Sequence, residues 1–238
     1  MRRIKIIHPS KGRPEQAYSA MKMFIDCCGN SSVISKYVLS IDLEDERLPE
    51  YHKRFKDSDV TLEVNRNQSA IQAINVAAQQ YIHLNSDEIV VVASDDFYPE
   101  KGWALKVIER IGGKKDFVLK TNDGLQNWLV TLPIMDSIYY FRYGYIYNPI
   151  YKHLFCDTEL THVADITGRL TIDNTIKIRH KPINDKLHSQ TQSTWKTGER
   201  IYLERVKEKF GLKEREIRSK VTDKSHVRWL KSKGIRLL

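Results

Sequence analysis

The residues best suited to chemistry lie in IVVVASDDFYP, from Ile89 to Pro99. Four apolar β-formers run through Ala93 and Ser94 into two adjacent carboxylates, Asp95 and Asp96. Neighbouring carboxylates repel. Beside a dry sheet they are costly unless something positive lies between or beside them. A plain strand-to-loop turn, with Asp present for its turn-forming side chain, explains the same pair without any ligand. The surrounding elements have to decide between the two.

Those elements alternate. Arg3–His8 is Ile-rich and suits a buried parallel strand. PSKGRP is a turn, with Pro14 at the first position of a helix that runs through Ala17, Ala20, Met21 and Phe24 and stops at Gly29. Ser35–Asp42 is a second strand, followed by an acidic, helix-compatible stretch to about Phe55. Val60–Asn67 is a third strand. Ser69–Leu84 is Ala-rich and places Ile71, Ile74, Ala78 and Ile82 on one helical face. Glu88–Ala93, a helix at Gly102–Ile111 and a strand at Phe117–Thr121 complete the series. Such alternation predicts an α/β fold with a mostly parallel central sheet flanked by helices.

Ligands of these sheets bind beyond the carboxyl ends of the strands. Ser10, Lys11 and Arg13 follow the first strand, Asp42 the second, Asn65, Arg66 and Asn67 the third, and Asp95-Asp96 the fourth. Cations and carboxylates therefore converge on one edge, a mixture that suits a ligand carrying phosphate together with a metal ion. No G-x-G-x-x-G and no G-x-x-x-x-G-K-[ST] occurs, which excludes a dinucleotide fingerprint and a P-loop.

Charge divides the chain. Residues 196–238 carry 14 Lys/Arg against 6 Asp/Glu, while the preceding 195 carry 25 against 24. The basic character belongs to the C-terminal segment. It reads as a solvated helical face or as a footprint for a polyanion, either nucleic acid or an anionic membrane surface. Residues 132–160 are dense in Tyr and Phe, serving as core or as stacking platforms for a sugar or base. No apolar run approaches transmembrane length, and MRRIKIIHPSKGRP is too short in its apolar part for a signal peptide. Cys27, Cys28 and Cys156 lack metal-type spacing and read as reduced thiols of a cytoplasmic protein, host cytoplasm if the source is viral.

In order along residues 3–182, IIHPSKGRP, SID, NRNQSAIQAIN, VVASDDFYP, LPIM with its following aromatics, and FCDTEL resemble the landmarks of GT-A fold nucleotide-sugar glycosyltransferases of the family-two-like kind. Two positions depart from that pattern. The metal motif reads Ser94-Asp95-Asp96 rather than Asp-x-Asp, and FCDTEL lacks the adjacent Glu-Asp pair. The resemblance implies a GT-A domain at 1–182. Its nucleotide-sugar half is about 1–121 and its acceptor half about 122–182, with a basic helical extension at 183–238.

The resemblance also implies roles. Asp96 would bind Mn²⁺ or Mg²⁺, with His180 as a further metal contact. Pro9, Ser10, Arg13, Asp42, Arg66, Asn67 and Asp95 would hold the nucleotide-sugar, a UDP-sugar by preference. Asp157 or Glu159 would act as general base, and Asp157 is also placed as a helix N-cap. The basic segment suggests duplex DNA as acceptor, through Trp229, Lys231, Lys233 and Arg236, with a hydroxymethylated base as nucleophile in a viral setting. A surface polysaccharide or lipid-linked glycan is the alternative acceptor. A sugar nucleotidyltransferase and a non-catalytic nucleic-acid-binding protein are further alternatives.

Overall fold

Ile4 and Ile6 point into one layer and Ile7 into the other, all fully buried, so the first strand has apolar neighbours on both faces. The computed structural model describes residues 2–84, 87–183 and 193–235. Strand β1 (Arg3–Ser10) pairs in parallel with β2 (Ile34–Asp42) and β4 (Glu88–Val92), and β2 pairs in parallel with β3 (Val60–Asn65). The eight-stranded sheet continues as β3-β2-β1-β4-β7-β6-β8-β5. Here β5 is Phe97–Pro99, β6 Val118–Asn122, β7 Ile134–Asp136 and β8 Leu170–His180. β7 runs antiparallel to both neighbours, and β5 runs antiparallel to the end of β8.

Helices cover both faces. α1 (Pro14–Asp26), α2 (Leu48–Phe55) and α4 (Trp103–Ile111) bury Phe24, Tyr51, Phe55 and Trp103 against Ile6, Leu39 and Val91. α3 (Ala70–Tyr81), α5 (Ser137–Tyr143) and α6 (Cys156–Ile166) cover the opposite face, on Ile7, Val90 and Met135. Each fully buried large apolar side chain contributes about 1.5–3 kcal/mol. β5 and β7 were not expected from the sequence, because three residues carry no readable period. α5 was not expected either, since its Tyr- and Phe-rich run has modest helix propensity. It is nucleated by Asp136, whose carboxylate accepts the Tyr139 N–H at 3.0 Å.

The C-terminal segment packs into the same core. α7 (Trp195–Lys207) and α8 (Lys224–Ser232) bury Tyr202, Val206 and Leu230 against the α6 side of the sheet. Gly198 permits the close approach, since a Cβ there would lie 2.7 Å from the Leu154 carbonyl oxygen. Arg205 donates to both Glu159 oxygens, at 2.9 Å and 3.2 Å, and to the Phe210 carbonyl. Behind it, the Tyr202 hydroxyl bridges His162 Nδ1 at 2.6 Å and His226 Nε2 at 2.7 Å.

Several sequence expectations change here. Ile201, Val206 and Phe210 have a spacing that predicts one inward helical face, but Phe210 does not continue it. α7 ends at Lys207, and Phe210 is buried in a left-handed turn at φ 55°. Asp157 is not a helix cap. That position falls to Phe155, at φ 72°, whose ring packs with Trp195, Tyr202 and Trp229. Trp229, expected among the acceptor contacts, lies among Phe155, Tyr202 and His226. Lys233 is paired with Glu199 at 2.6 Å, Lys231 is exposed, and Arg236 lies outside the described residues.

Arg205→Ala is expected to cost about 3–5 kcal/mol in urea unfolding, because it strands the buried Glu159 carboxylate. The double exchange Arg205→Met, Glu159→Leu should recover most of that loss. Burial lowers the His162 pKa to about 3 and the His226 pKa to about 4. Unfolded histidine titrates near 6.5, so between that pH and about 4 the unfolded chain binds more protons. Stability should therefore fall steadily as pH drops through that window. Replacing His226 with Gln should remove about one proton from the slope of the unfolding midpoint against pH.

Candidate active site

The edge where β1 to β4 end opens into a cleft of about 450 Å³. Its walls include Pro9, Ser10, Lys11 and Arg13 after β1, Asp42 from β2, Asn67 beyond β3, and Asp95 and Asp96 beyond β4. Seven of the expected donor and metal residues thus share one cavity, although they lie up to 87 positions apart. Arg66 is exposed and does not line it. Lys11, Gln68, Ser69, Ser94 and His153 line it in addition. His153 sits in the loop before α6 and gave no sequence signal beyond its closeness to FCDTEL.

Asp95 is 3% exposed, and protein groups already occupy both of its oxygens. His8 Nε2 lies 2.9 Å from one and Ser10 Oγ 3.1 Å from the other, with the Arg13 guanidinium 4.0 Å away. The proton order follows from the donor inventory. Ser10 has one hydroxyl proton and gives it to Asp95. Tyr51, 2.6 Å from Ser10 Oγ, must then donate to Ser10, while its own oxygen accepts the Arg13 N–H at 2.9 Å. An ionised Asp95 can only accept, so His8 carries its proton on Nε2 toward it. On a neutral His8 ring, Nδ1 then accepts from the Tyr37 hydroxyl at 2.6 Å. Burial, with the Asp95 charge beside it, pushes Tyr37 well above its ordinary pKa and keeps it a donor.

Asp96 behaves differently. Its side chain is 15% exposed and reaches His180 Nε2 at 3.2 Å across the β5–β8 pair, where Phe97 stands opposite His180. The His180 ring is stacked on Phe97, with centroids 4.5 Å apart. Burial works to raise the Asp96 pKa, but the His180 contact and the Ser94 hydroxyl outweigh it and hold the carboxyl below its usual range. Asp96 therefore stays ionised at neutral pH and faces the cleft beside an imidazole. Asp42 is likewise held low. Burial is outweighed there by Lys11, at 2.8 Å, and by the Glu44 N–H.

The donor set fits a divalent cation held jointly with a ligand. Asp96 and His180 supply one carboxylate and one imidazole, leaving positions for phosphate and water. No group of three or more metal-ligating side chains occurs among the described residues. Asn67 adds a sign of an absent partner. Its amide donates to the Asn65 carbonyl at 3.2 Å, while its buried Oδ1 has no hydrogen-bond partner.

Asp157 stands in the first turn of α6, outside the cleft lining but within electrostatic reach of His180. Burial raises its pKa above the ordinary value, against the pull of the Thr158 N–H at 2.8 Å. Glu159 is turned away, 4% exposed, and is held by Arg205, Tyr151 at 2.7 Å and Asn148 at 2.8 Å. The two carboxylates expected as bases are thus separated: Asp157 lies within electrostatic reach of His180, and Glu159 is locked into the α6–α7 contact.

No family model and no curated protein matches the chain. Solved structures do resemble it. A mannosyltransferase from Pyrobaculum calidifontis, in complex with GDP-Man and Mn²⁺, superposes with a TM-score of 0.61 at 12% identity, over 80% of this chain and 60% of its own. TarS of S. aureus gives 0.59 at 12% identity, over 79% of this chain and 38% of its own. Residues 1–349 of TarS with UDP-GlcNAc give 0.59 at 13%, over 79% and 61%. No helix among the described residues is long and apolar enough to cross a membrane. The chain spans 38–61% of the length of these structures, and what it shares with them is their fold, the GT-A-type fold of nucleotide-sugar glycosyltransferases.

Proposed function

We propose that this protein is a metal-dependent glycosyltransferase that moves a hexose or pentose from a nucleotide diphosphate-sugar to an acceptor hydroxyl. One observation carries the reading. An ionised, half-buried Asp96 beside His180 opens onto the cleft that also holds Lys11, Arg13, Asp42 and the unpartnered Asn67 Oδ1. The similar structures support it, since their own ligands are UDP-GlcNAc and GDP-Man with Mn²⁺. In this reading residues 1–182 form the transferase domain, and the basic helices after them are an extension.

Lys11 and Arg13 would neutralise the donor's negative charge. Asp42 or Asn67 Oδ1 would accept the single N3–H of uracil in the UDP-sugar we favour as donor. Asp95, fixed by His8 and Ser10, orients the turn that presents Asp96. Asp96 and His180 would hold Mn²⁺ or Mg²⁺, which when bound stabilises the leaving diphosphate. Asp157 takes the proton of the attacking hydroxyl, and its raised pKa makes it a better base than an ordinary aspartate. The acceptor we favour is a glycan, a surface polysaccharide or a lipid-linked chain. Trp229 is packed inward and Lys233 is paired, so the intended DNA contacts of α8 are reduced. A hydroxymethylated base in duplex DNA would instead draw on exposed Lys207 and Lys220.

Nucleotide release from UDP-GlcNAc, UDP-Glc, UDP-Gal and GDP-Man with Mn²⁺ is the direct test; no release and no binding by calorimetry would refute the reading. Asp96→Ala should abolish Mn²⁺-dependent nucleotide binding without unfolding the protein, and His180→Ala should weaken it less. Asp157→Asn should leave donor affinity near wild type while transfer falls roughly 10²–10⁴-fold. It should also erase the acid limb of the rate profile, which in wild type falls as pH drops through the raised Asp157 pKa. If DNA is the acceptor, duplex affinity should fall log-linearly with salt, by a slope of about −0.9 per phosphate contact. Reversing Lys207 and Lys220 should flatten that slope.

A further inference from the structure

The transferase reading leaves unassigned the ground beside Asp157 on which an acceptor must rest. We propose that Trp195 is that ground, an indole face that stacks the pyranose ring of a glycan acceptor and offers its hydroxyl to Asp157. The proposal rests on the transferase reading and extends it to the acceptor side.

Trp195 is 49% exposed, whereas Trp103 is 1% and Trp128 9% exposed, and Trp229 is ringed by other aromatics. Its place is fixed from two directions. It opens α7 and meets the Phe155 ring at 5.0 Å and 69°, an angle that rules out stacking between the two rings. One helical turn later, Gly198 lets the α7 backbone rest on the Leu154 carbonyl and the Phe155 ring. The first turn of α7 is therefore clamped to the turn that starts α6. That turn is itself set by Phe155 at φ 72°. His153, a wall of the cleft, lies two residues before Phe155, and Asp157 lies two after it. Cleft wall, platform support and proposed base thus occupy one five-residue stretch, His153 to Asp157.

The chemistry favours a sugar. The negative face of indole attracts the polarised C–H face of a pyranose, and the indole N–H adds a polar edge. A flipped base is gripped in a snug pocket. Trp195, by contrast, touches a single ring among the described residues and faces solvent. The exposed Lys207 lies at the opposite end of α7, about 18 Å away at 1.5 Å per residue. That cation is thus remote from the platform, whereas the exposed Lys196 adjoins it.

The test is tryptophan emission of the full chain titrated with maltotetraose, chitotetraose and mannotetraose, with an oligonucleotide containing 5-hydroxymethylcytosine in parallel. At least one oligosaccharide should quench or blue-shift the exposed tryptophan. Trp195→Phe should abolish the response. Trp195→Ala should raise the KM for that oligosaccharide about 3- to 10-fold, with kcat less affected. UDP affinity with Mn²⁺ and the near-ultraviolet circular dichroism serve as controls for the cleft and the fold. A response that persists in both variants, no response to any oligosaccharide, or a response to the oligonucleotide alone would overturn the proposal. The fluorescence arm needs no donor. It therefore judges Trp195 even where no sugar nucleotide binds, the result that would instead sink the transferase reading.

Discussion

A carboxylate with almost no exposure at the end of a central strand obliges its surroundings to supply hydrogens, and Asp95 is that carboxylate. Leaving it unpaired would cost several kcal/mol. The sheet avoids this by bringing His8 and Ser10 from β1 against it and by tying Tyr37 and Tyr51 behind them. The network joins β1, β2, α2 and the turn after β4 into one rigid edge. Asp96 follows in the same turn, where it meets His180 across the β5–β8 pair.

The same logic explains why two adjacent carboxylates do not fight over one site. Asp95 is satisfied from within the protein, and Asp96 faces the cleft with the His180 imidazole and the Ser94 hydroxyl beside it. The pair is therefore neither a plain turn nor a simple double ligand. One residue builds the scaffold on which the other is displayed, and rigid support of this kind is what a metal-and-phosphate site requires.

Much of this was legible in the sequence, for identifiable reasons. The Ile- and Val-rich strands and the Ala-rich α3 announce themselves by composition and period, and a parallel sheet then dictates which edge carries the ligand. Pro9, Ser10, Arg13, Asp42, Asn67, Asp95 and Asp96 meet in the cleft because strand ends were the right places to look. The rest depended on contacts no local pattern encodes. β5 and β7 exist because β8 and β4 offer them edges. Glu159 reads like a base in CDTEL, and only the packing of α7 shows that Arg205 claims it. Trp229 and Trp195 both have basic sequence neighbours, yet one packs against the core and the other is exposed.

β8 has a consequence for how the molecule comes into being. Asp96 and its imidazole partner are 84 positions apart, and only the antiparallel contact of β5 with the far end of β8 unites them. The entropy of closing so long a loop grows slowly with its length, but the closure must wait until that strand exists. During synthesis the turn at Asp96 is made well before the 84 residues that lead to His180. The Asp96–His180 contact is assembled late, and a polypeptide interrupted before His180 would carry the acidic turn without its counterpart.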